Sequence, residues 1–136
     1  MLQGLRTVIY SVSDLDRAKS WYAQALGQQP YFDQPFYVGF NVGGFELGLD
    51  PDTSNVKPGN NAVAYWGVPD AKAAYARLLS LGASEAMTLR DVGEGIVVRV
   101  VHSPGRDALV AVAPAQERGR DQRSHFTARL AVPSRH

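Results

Sequence analysis

The sequence predicts an α+β fold made of two tandem modules, each with the element order β-α-β-β-β. A strand runs directly into an amphipathic helix between Thr7 and Gly27. The same pattern returns between Val63 and Gly82. Strand-like stretches separated by turns follow both helices. Two copies of one supersecondary unit therefore account for most of the chain.

Composition limits the classes of function that need to be considered. The 136 residues are 45% hydrophobic and 20% charged, which is typical of one globular domain. A net charge of +1 does not favour nucleic acid or a membrane surface as a partner. The absence of cysteine excludes disulfides and thiolate ligands. With no signal-peptide pattern and no apolar run of about 20 residues, we expect a cytoplasmic protein.

The first module is predicted to span residues 1–50. Residues 6–12 are rich in Val, Ile and Tyr, which favours a strand. Ser13 is the predicted N-cap of the helix, because Asp16 three positions later gives a capping-box pattern. Gly27 is the predicted left-handed stop of that helix.

Three more strands are predicted in the first module. Tyr31-Phe32 precede a predicted turn at residues 33–35, and residues 36–42 form the next extended run. Gly43-Gly44 predict a tight hairpin turn, after which residues 45–50 return as an alternating strand.

The second module is predicted to span residues 62–114, after a polar linker at 51–61. Pro69 fits the first turn of its helix. The predicted strands are 63–68, 84–90, 95–101 and 108–113. Residues 115–136 form an arginine-rich tail without apolar periodicity.

The opening of the chain carries a family resemblance. The stretch Val12-Ser-Asp-Leu-Asp-Arg-Ala-Lys-Ser-Trp-Tyr22, followed by Ala25-Leu-Gly27, closely resembles the start of the vicinal-oxygen-chelate superfamily. That superfamily includes glyoxalases, bleomycin-resistance proteins and extradiol dioxygenases. The resemblance covers about residues 5–114. It implies a cup-shaped mixed β-sheet with helices packed outside, and often a pocket in a dimer interface.

Metal-dependent members of that superfamily take His, Gln or Glu ligands from the first and last strands of each module. Carried over to this chain, the corresponding positions are Thr7, Val63 and Val110. At the end of the first module the count is ambiguous between Glu46 and Leu47, and strand alternation favours Glu46. Threonine is a poor transition-metal ligand and valine is none, so we expect no metal site of the usual kind.

The same positions outline a ligand site. A carboxylate of Glu46 inside an apolar cup is expected to have a raised pKa, and it could then act as a general base. Trp66 and Phe40 are expected in the core. The residues expected to contact a ligand are Thr7, Ile9, Ser11, Tyr31, Phe36, Glu46, Val63, Tyr65 and Val110.

The remaining candidate residues, the histidines and the arginines of the tail, are expected to have no functional role. His102, His125 and His136 show no metal-ligand spacing, so we expect them in turns or at the surface. The arginines of the tail lack interleaved aromatic residues, and we expect no nucleic-acid binding.

The leading hypothesis is a metal-free protein that binds a small organic molecule, aromatic or cationic, in an aromatic-lined cup. We expect a homodimer without a cofactor. The sequence does not exclude a divalent metal bound by residues outside the usual ligand positions. The alternative is a metal-dependent lyase, isomerase or dioxygenase that uses Glu46. A third hypothesis is a structural dimer with a vestigial pocket.

Overall fold

The computed structural model describes residues 1–54, 56, 63–91 and 97–114, and it confirms an α+β fold of two tandem βαβββ modules. The first module contains β1 (Thr7–Ser11), α1 (Leu15–Leu26), β2 (Phe32–Gln34), β3 (Tyr37–Val42) and β4 (Phe45–Asp50). The second contains β5 (Ala64–Val68), α2 (Ala71–Ser80), β6 (Ser84–Asp91), β7 (Val97–His102) and β8 (Leu109–Pro114). In this part of the chain, neither helix is long and apolar enough to cross a membrane.

Each module forms its own four-stranded mixed sheet. The strand order is β1-β4-β3-β2 in the first sheet and β5-β8-β7-β6 in the second. In both sheets the first strand pairs in parallel with the last, and the other pairs are antiparallel. The helix between the first two strands provides the crossover that a parallel pair requires.

Both long helices begin with an aspartate cap. The Asp14 side chain accepts a hydrogen bond from the Arg17 amide, and Asp70 caps α2 in the same way. The prediction of Ser13 as N-cap is therefore wrong by one residue, and Pro69 lies before the cap rather than in the first turn. Aspartate is favoured because its carboxylate satisfies a free amide at the positive end of the helix.

Two turns of the first module differ in how well they were predicted. Gly43 and Gly44 both have positive φ, 59° and 91°, as the predicted tight hairpin requires. The turn predicted at residues 33–35 lies later, at 35–36, and Asp33 with Gln34 belongs to β2 instead. Pairing of β2 with β3 satisfies backbone groups that the predicted turn would have left free.

One hydrophobic core joins the two modules. Phe40 is fully buried within it, as predicted, and Trp66 packs against it from the second module. The modules also meet through a polar contact, in which the Asp107 carboxylate accepts hydrogen bonds from the amide and hydroxyl of Ser13. Arg17 lies 4.0 Å from the same carboxylate.

Several predictions fall outside the described residues. These are most of the 51–61 linker, the beginning of the strand predicted at 95–101, the tail at 115–136, and both His125 and His136 within that tail.

Candidate functional site

The register of the first sheet brings polar side chains together on one face. Glu46 pairs with Thr7 on one side and with Asn41 on the other. Register partners in neighbouring strands project to the same face of a sheet. Leu47 projects to the opposite face and is only 2% exposed. Glu46, rather than Leu47, is therefore the acidic residue beside Thr7.

Hydrogen bonds hold the Glu46 carboxylate from several directions. The Thr7 hydroxyl donates to Glu46 Oε1 at 3.0 Å, and the Tyr31 hydroxyl donates to Oε2. Arg6 donates to Thr7 Oγ1 at 2.9 Å and lies 3.8 Å from Glu46 Oε1. The Glu46 side chain is 16% exposed, so ligand atoms can still reach it.

These donors keep Glu46 ionised. The hydrogen bond from Tyr31 is the largest cause of a lowered pKa at Glu46, and Thr7, Tyr37 and Arg6 act in the same direction. Partial desolvation opposes them without reversing the shift. The expectation of a raised pKa is therefore wrong, because the carboxylate has more hydrogen-bond donors than an apolar cup would provide. A lowered pKa suits charge recognition better than proton abstraction at neutral pH.

Two paired glycines form the floor beside this carboxylate. Gly39 of β3 and Gly48 of β4 are register partners, and both are buried. A Cβ at Gly39 would lie 3.0 Å from Glu46 Oε2 and 3.2 Å from the Tyr31 ring. A Cβ at Gly48 would overlap the Tyr37 hydroxyl. Neither glycine has a positive φ, so each provides space and not backbone freedom.

An open depression of about 200 Å³ lies next to the carboxylate. Its lining residues are Arg6, Tyr31, Asn41, Gly44, Phe45 and Glu46. All of them belong to the first module. The depression combines one ionised carboxylate, one exposed guanidinium and two aromatic rings, which together can bind a small molecule that is both polar and flat.

The other predicted residues of the first module lie around this cluster. Ile9 pairs with Gly48 and Ser11 pairs with Asp50, so both share the face that carries Glu46. Ile9 is 55% exposed and Phe36 is 67% exposed, and the Phe36 ring contacts Phe32 at a centroid distance of 6.0 Å. Ile9 on this face and Phe36 in the turn before β3 therefore present exposed apolar surface.

The second module does not repeat the polar cluster. Its register pairs Ala64 with Val110, so the residue opposite Val63 is Leu109. Val110 is 5% exposed and belongs to the core, which corrects its expected place in the ligand site. The count from the preceding turn was one residue too long. Tyr65 projects to the opposite face from Trp66 and is 38% exposed, but it does not line the depression.

The donor set does not fit a resident metal ion. The four positions equivalent to the superfamily ligands hold Thr7, Glu46, Val63 and Leu109, of which only Glu46 is a strong ligand. Within the described ranges, no three His, Asp or Glu side chains converge in a way that could hold a metal. His102 lies instead beside Arg106, whose guanidinium is 3.1 Å from Nε2. Burial, and then Arg106, lower the pKa of His102.

Several residues of the site were missed from the sequence, among them Asn41, Tyr37 and Arg6. Asn41 could have been found, because a two-residue turn at Gly43-Gly44 sets Asn41 opposite Glu46. Tyr37 shares the face of Gly39 by alternation, but the reach of its ring over β4 has no sequence signal. Arg6 begins the predicted strand at residues 6–12, and its carbonyl accepts a hydrogen bond from the Glu46 amide at 2.9 Å. The approach of its long, exposed side chain to the Glu46 carboxylate has no sequence signal.

Comparison with known proteins identifies the class. The family model described as "Glyoxalase/Bleomycin resistance protein/Dioxygenase superfamily" matches residues 4–111, and the chain belongs to that superfamily. No curated protein matches the sequence.

Solved structures share the fold at low sequence identity. Protein ATC0852 from Agrobacterium tumefaciens has a TM-score of 0.70 and 16% identity, over 85% of this chain and 100% of that one. A lactoylglutathione lyase from Agrobacterium tumefaciens has a TM-score of 0.67 and 16% identity, over 89% and 100%. A bleomycin resistance determinant encoded on the transposon Tn5 has a TM-score of 0.64 and 15% identity, over 85% and 100%.

Proposed function

We propose that this chain is a cytoplasmic protein that binds a small organic molecule in the depression beside Glu46, without a metal ion. The observation that carries the proposal is the ionised carboxylate, which Thr7 and Tyr31 hold in place at the edge of an open depression. An anchored anion beside aromatic rings favours an organic cation or a flat molecule with a hydrogen-bond donor.

The geometry supports recognition more strongly than catalysis. Glu46 already accepts hydrogen bonds at both of its oxygens, and its lowered pKa makes it a weak base. Its remaining capacity suits a third donor from a ligand, since a carboxylate offers about four acceptor sites.

A thermal-shift screen of aromatic amines and quaternary ammonium compounds tests the proposal. A ligand at 100 times its dissociation constant should stabilise the wild-type chain by about 2.7 kcal/mol. Glu46→Gln keeps the shape and removes the charge, so cationic ligands should lose most of their effect. Asp33→Asn, a change at an exposed carboxylate on β2, is the matched control and should leave binding unchanged. If no compound of either class raises the unfolding temperature, the proposal is contradicted.

A second copy of the chain is part of the proposal. Ile9 on the face that carries Glu46, Phe36 in the turn before β3 and Tyr65 on the second sheet are all exposed, and burial of such side chains drives association. We propose a homodimer in which a second copy covers this apolar surface. Light scattering after gel filtration should give twice the chain mass, and Ile9→Asp should shift the protein towards the monomer.

The competing function is a metal-dependent lyase, isomerase or dioxygenase that uses Glu46. One of the similar structures is that of a lactoylglutathione lyase. Metal analysis of the purified protein separates the two functions. Stoichiometric zinc, nickel, manganese or iron that is lost in Glu46→Ala would favour the enzyme and overturn metal-free binding.

A further inference from the structure

The Tyr37 ring lies over a part of the sheet where the two paired residues, Gly39 and Gly48, are glycines. Tyr37, Gly39 and Asn41 share one face of β3, and Gly39 pairs with Gly48 of β4. The ring reaches across to β4, so that a Cβ added at Gly48 would lie 2.6 Å from Tyr37 Cζ. The phenol thus covers a bare strip of backbone and keeps Gly48 buried.

Backbone conformation does not explain why glycine occupies both positions of the Gly39–Gly48 pair. Both have negative φ, which any residue can adopt. Glycine in a strand interior weakens the sheet, and it often marks a place where another group approaches the backbone closely. Here that group is the planar phenol of Tyr37, whose hydroxyl also helps to lower the pKa of Glu46.

We propose that Tyr37 is the resting occupant of an aromatic subsite, and that a ligand ring bearing a hydrogen-bond donor takes its place over Gly39 and Gly48. The inference rests on the proposed binding of a small organic molecule beside Glu46, and it names the class of that molecule. A phenol fits the strip because the protein's own phenol does. The donor of the ligand replaces the Tyr37 hydroxyl at the Glu46 carboxylate.

The side chain of Tyr37 is able to leave. Tyr37 lies one residue after the turn at 35–36 and is only half-buried. Its ring also contacts Phe32, at a centroid distance of 6.1 Å, and Phe32 belongs to the short edge strand β2. Rotation of the Tyr37 side chain away from β4 does not disturb the core, because Val38 and Phe40 of β3 point to the opposite face of the sheet. The affinity of a ligand is then reduced by the fraction of time that Tyr37 occupies the strip.

Phenol is the probe, because Tyr37→Ala removes a phenol and keeps the Cβ. By calorimetry, Tyr37→Ala should bind phenol at least about tenfold more tightly than the wild-type chain, with Tyr37→Phe in between. Toluene, which matches phenol in shape but has no donor, should bind Tyr37→Ala several-fold more weakly than phenol does. Tyr65→Ala, which removes an exposed tyrosine of the second sheet, is the matched control and should gain nothing.

Adding a methyl group to the floor completes the test. Gly48→Ala in the Tyr37→Ala background should abolish the gain, because the methyl group fills the strip from below. Equal phenol affinity in wild type and Tyr37→Ala would overturn the inference, as would tight binding by the double variant. Either result could coexist with Glu46-dependent binding of an aromatic amine by the wild-type chain, so the inference can fail while the proposed function stands. Thermal unfolding of each variant establishes that it is folded.

Discussion

The Tyr31 hydroxyl donates a hydrogen bond to Glu46 across the sheet, and this bond does more than any other contact to keep the carboxylate ionised. The same bond raises the pKa of Tyr31. The pair is therefore locked as a neutral phenol and an anion, which is a recognition element and not an acid–base couple.

Removal of that bond should raise the pKa of Glu46. We predict that Tyr31→Phe moves the carboxyl titration upwards, as measured by carbon-detected NMR, whereas Tyr65→Phe does not. A lowered folded-state pKa stabilises the protein above the ordinary value of 4.5, and the effect disappears as the pH falls through the folded-state pKa. The stability difference between wild type and Tyr31→Phe should therefore be present at pH 7 and shrink on acidification. A difference that grows on acidification would contradict this account.

The helix cap offers a second prediction. Asp14→Ala should reduce the free energy of unfolding by about 1 kcal/mol, because the Arg17 amide loses its acceptor. Asp16→Ala, which removes a first-turn charge without a cap bond, should cost no more than about 0.5 kcal/mol. Urea unfolding at neutral pH measures both values. Equal costs would mean that helix-dipole charge, and not the cap bond, accounts for the effect.

The contact between the modules supplies a third prediction. Asp107→Ala leaves the Ser13 amide and hydroxyl without their acceptor, and we expect a loss of about 1–2 kcal/mol in the free energy of unfolding. Asp33→Ala removes the exposed pair with Lys19 and should cost less than about 0.5 kcal/mol. If the two variants unfold at the same urea concentration, the Ser13–Asp107 contact adds nothing to the docking of the modules.

Two phenylalanines separate stability from binding. Phe40→Ala should destabilise the chain by about 3–5 kcal/mol, because it empties a fully buried volume. Phe36→Ala should change the free energy of unfolding by less than about 0.5 kcal/mol, since the ring is exposed. If Phe36 serves ligand or dimer contacts, its loss should instead appear in ligand affinity or in the mass measured by light scattering. A large stability loss at Phe36 would assign that ring to the core.

The repeated strand-helix pattern was enough to predict the fold, because each element depends on local periodicity and short-range caps. Errors came where two local signals compete. Ser13 and Asp14 are both good caps, and in the structure Asp14 caps the helix while the Ser13 hydroxyl donates to Asp107 of the second module. Likewise Asp33 has the composition of a turn but pairs with Val38 as part of β2. Tertiary pairing outweighed composition in both cases.

The candidate site was predictable in part. Alternation was sufficient to place Glu46, Thr7 and Ile9 on one face, because strand geometry has a fixed period of two. The position of Val110 was wrong because the turn before β8 includes a short 3-10 segment, Pro104–Arg106, that a count from the turn cannot anticipate. The direction of the Tyr37 ring depends on the glycine pair, which is a relation between two strands.

The register pairs Thr7 with Glu46 in the first module. Extension of the β5–β8 register by one residue places Val63 opposite Leu109 at the equivalent position in the second module. The position where the first strand of a module lies beside its last strand is therefore hydrophilic in the first module and aliphatic in the second. We call these two positions the corners of the sheets. If the proposed dimer sets the two corners against each other, the molecule held between them has to be amphipathic, with unlike ends. It would then enter in one orientation only, although each subunit is built from two copies of a single motif.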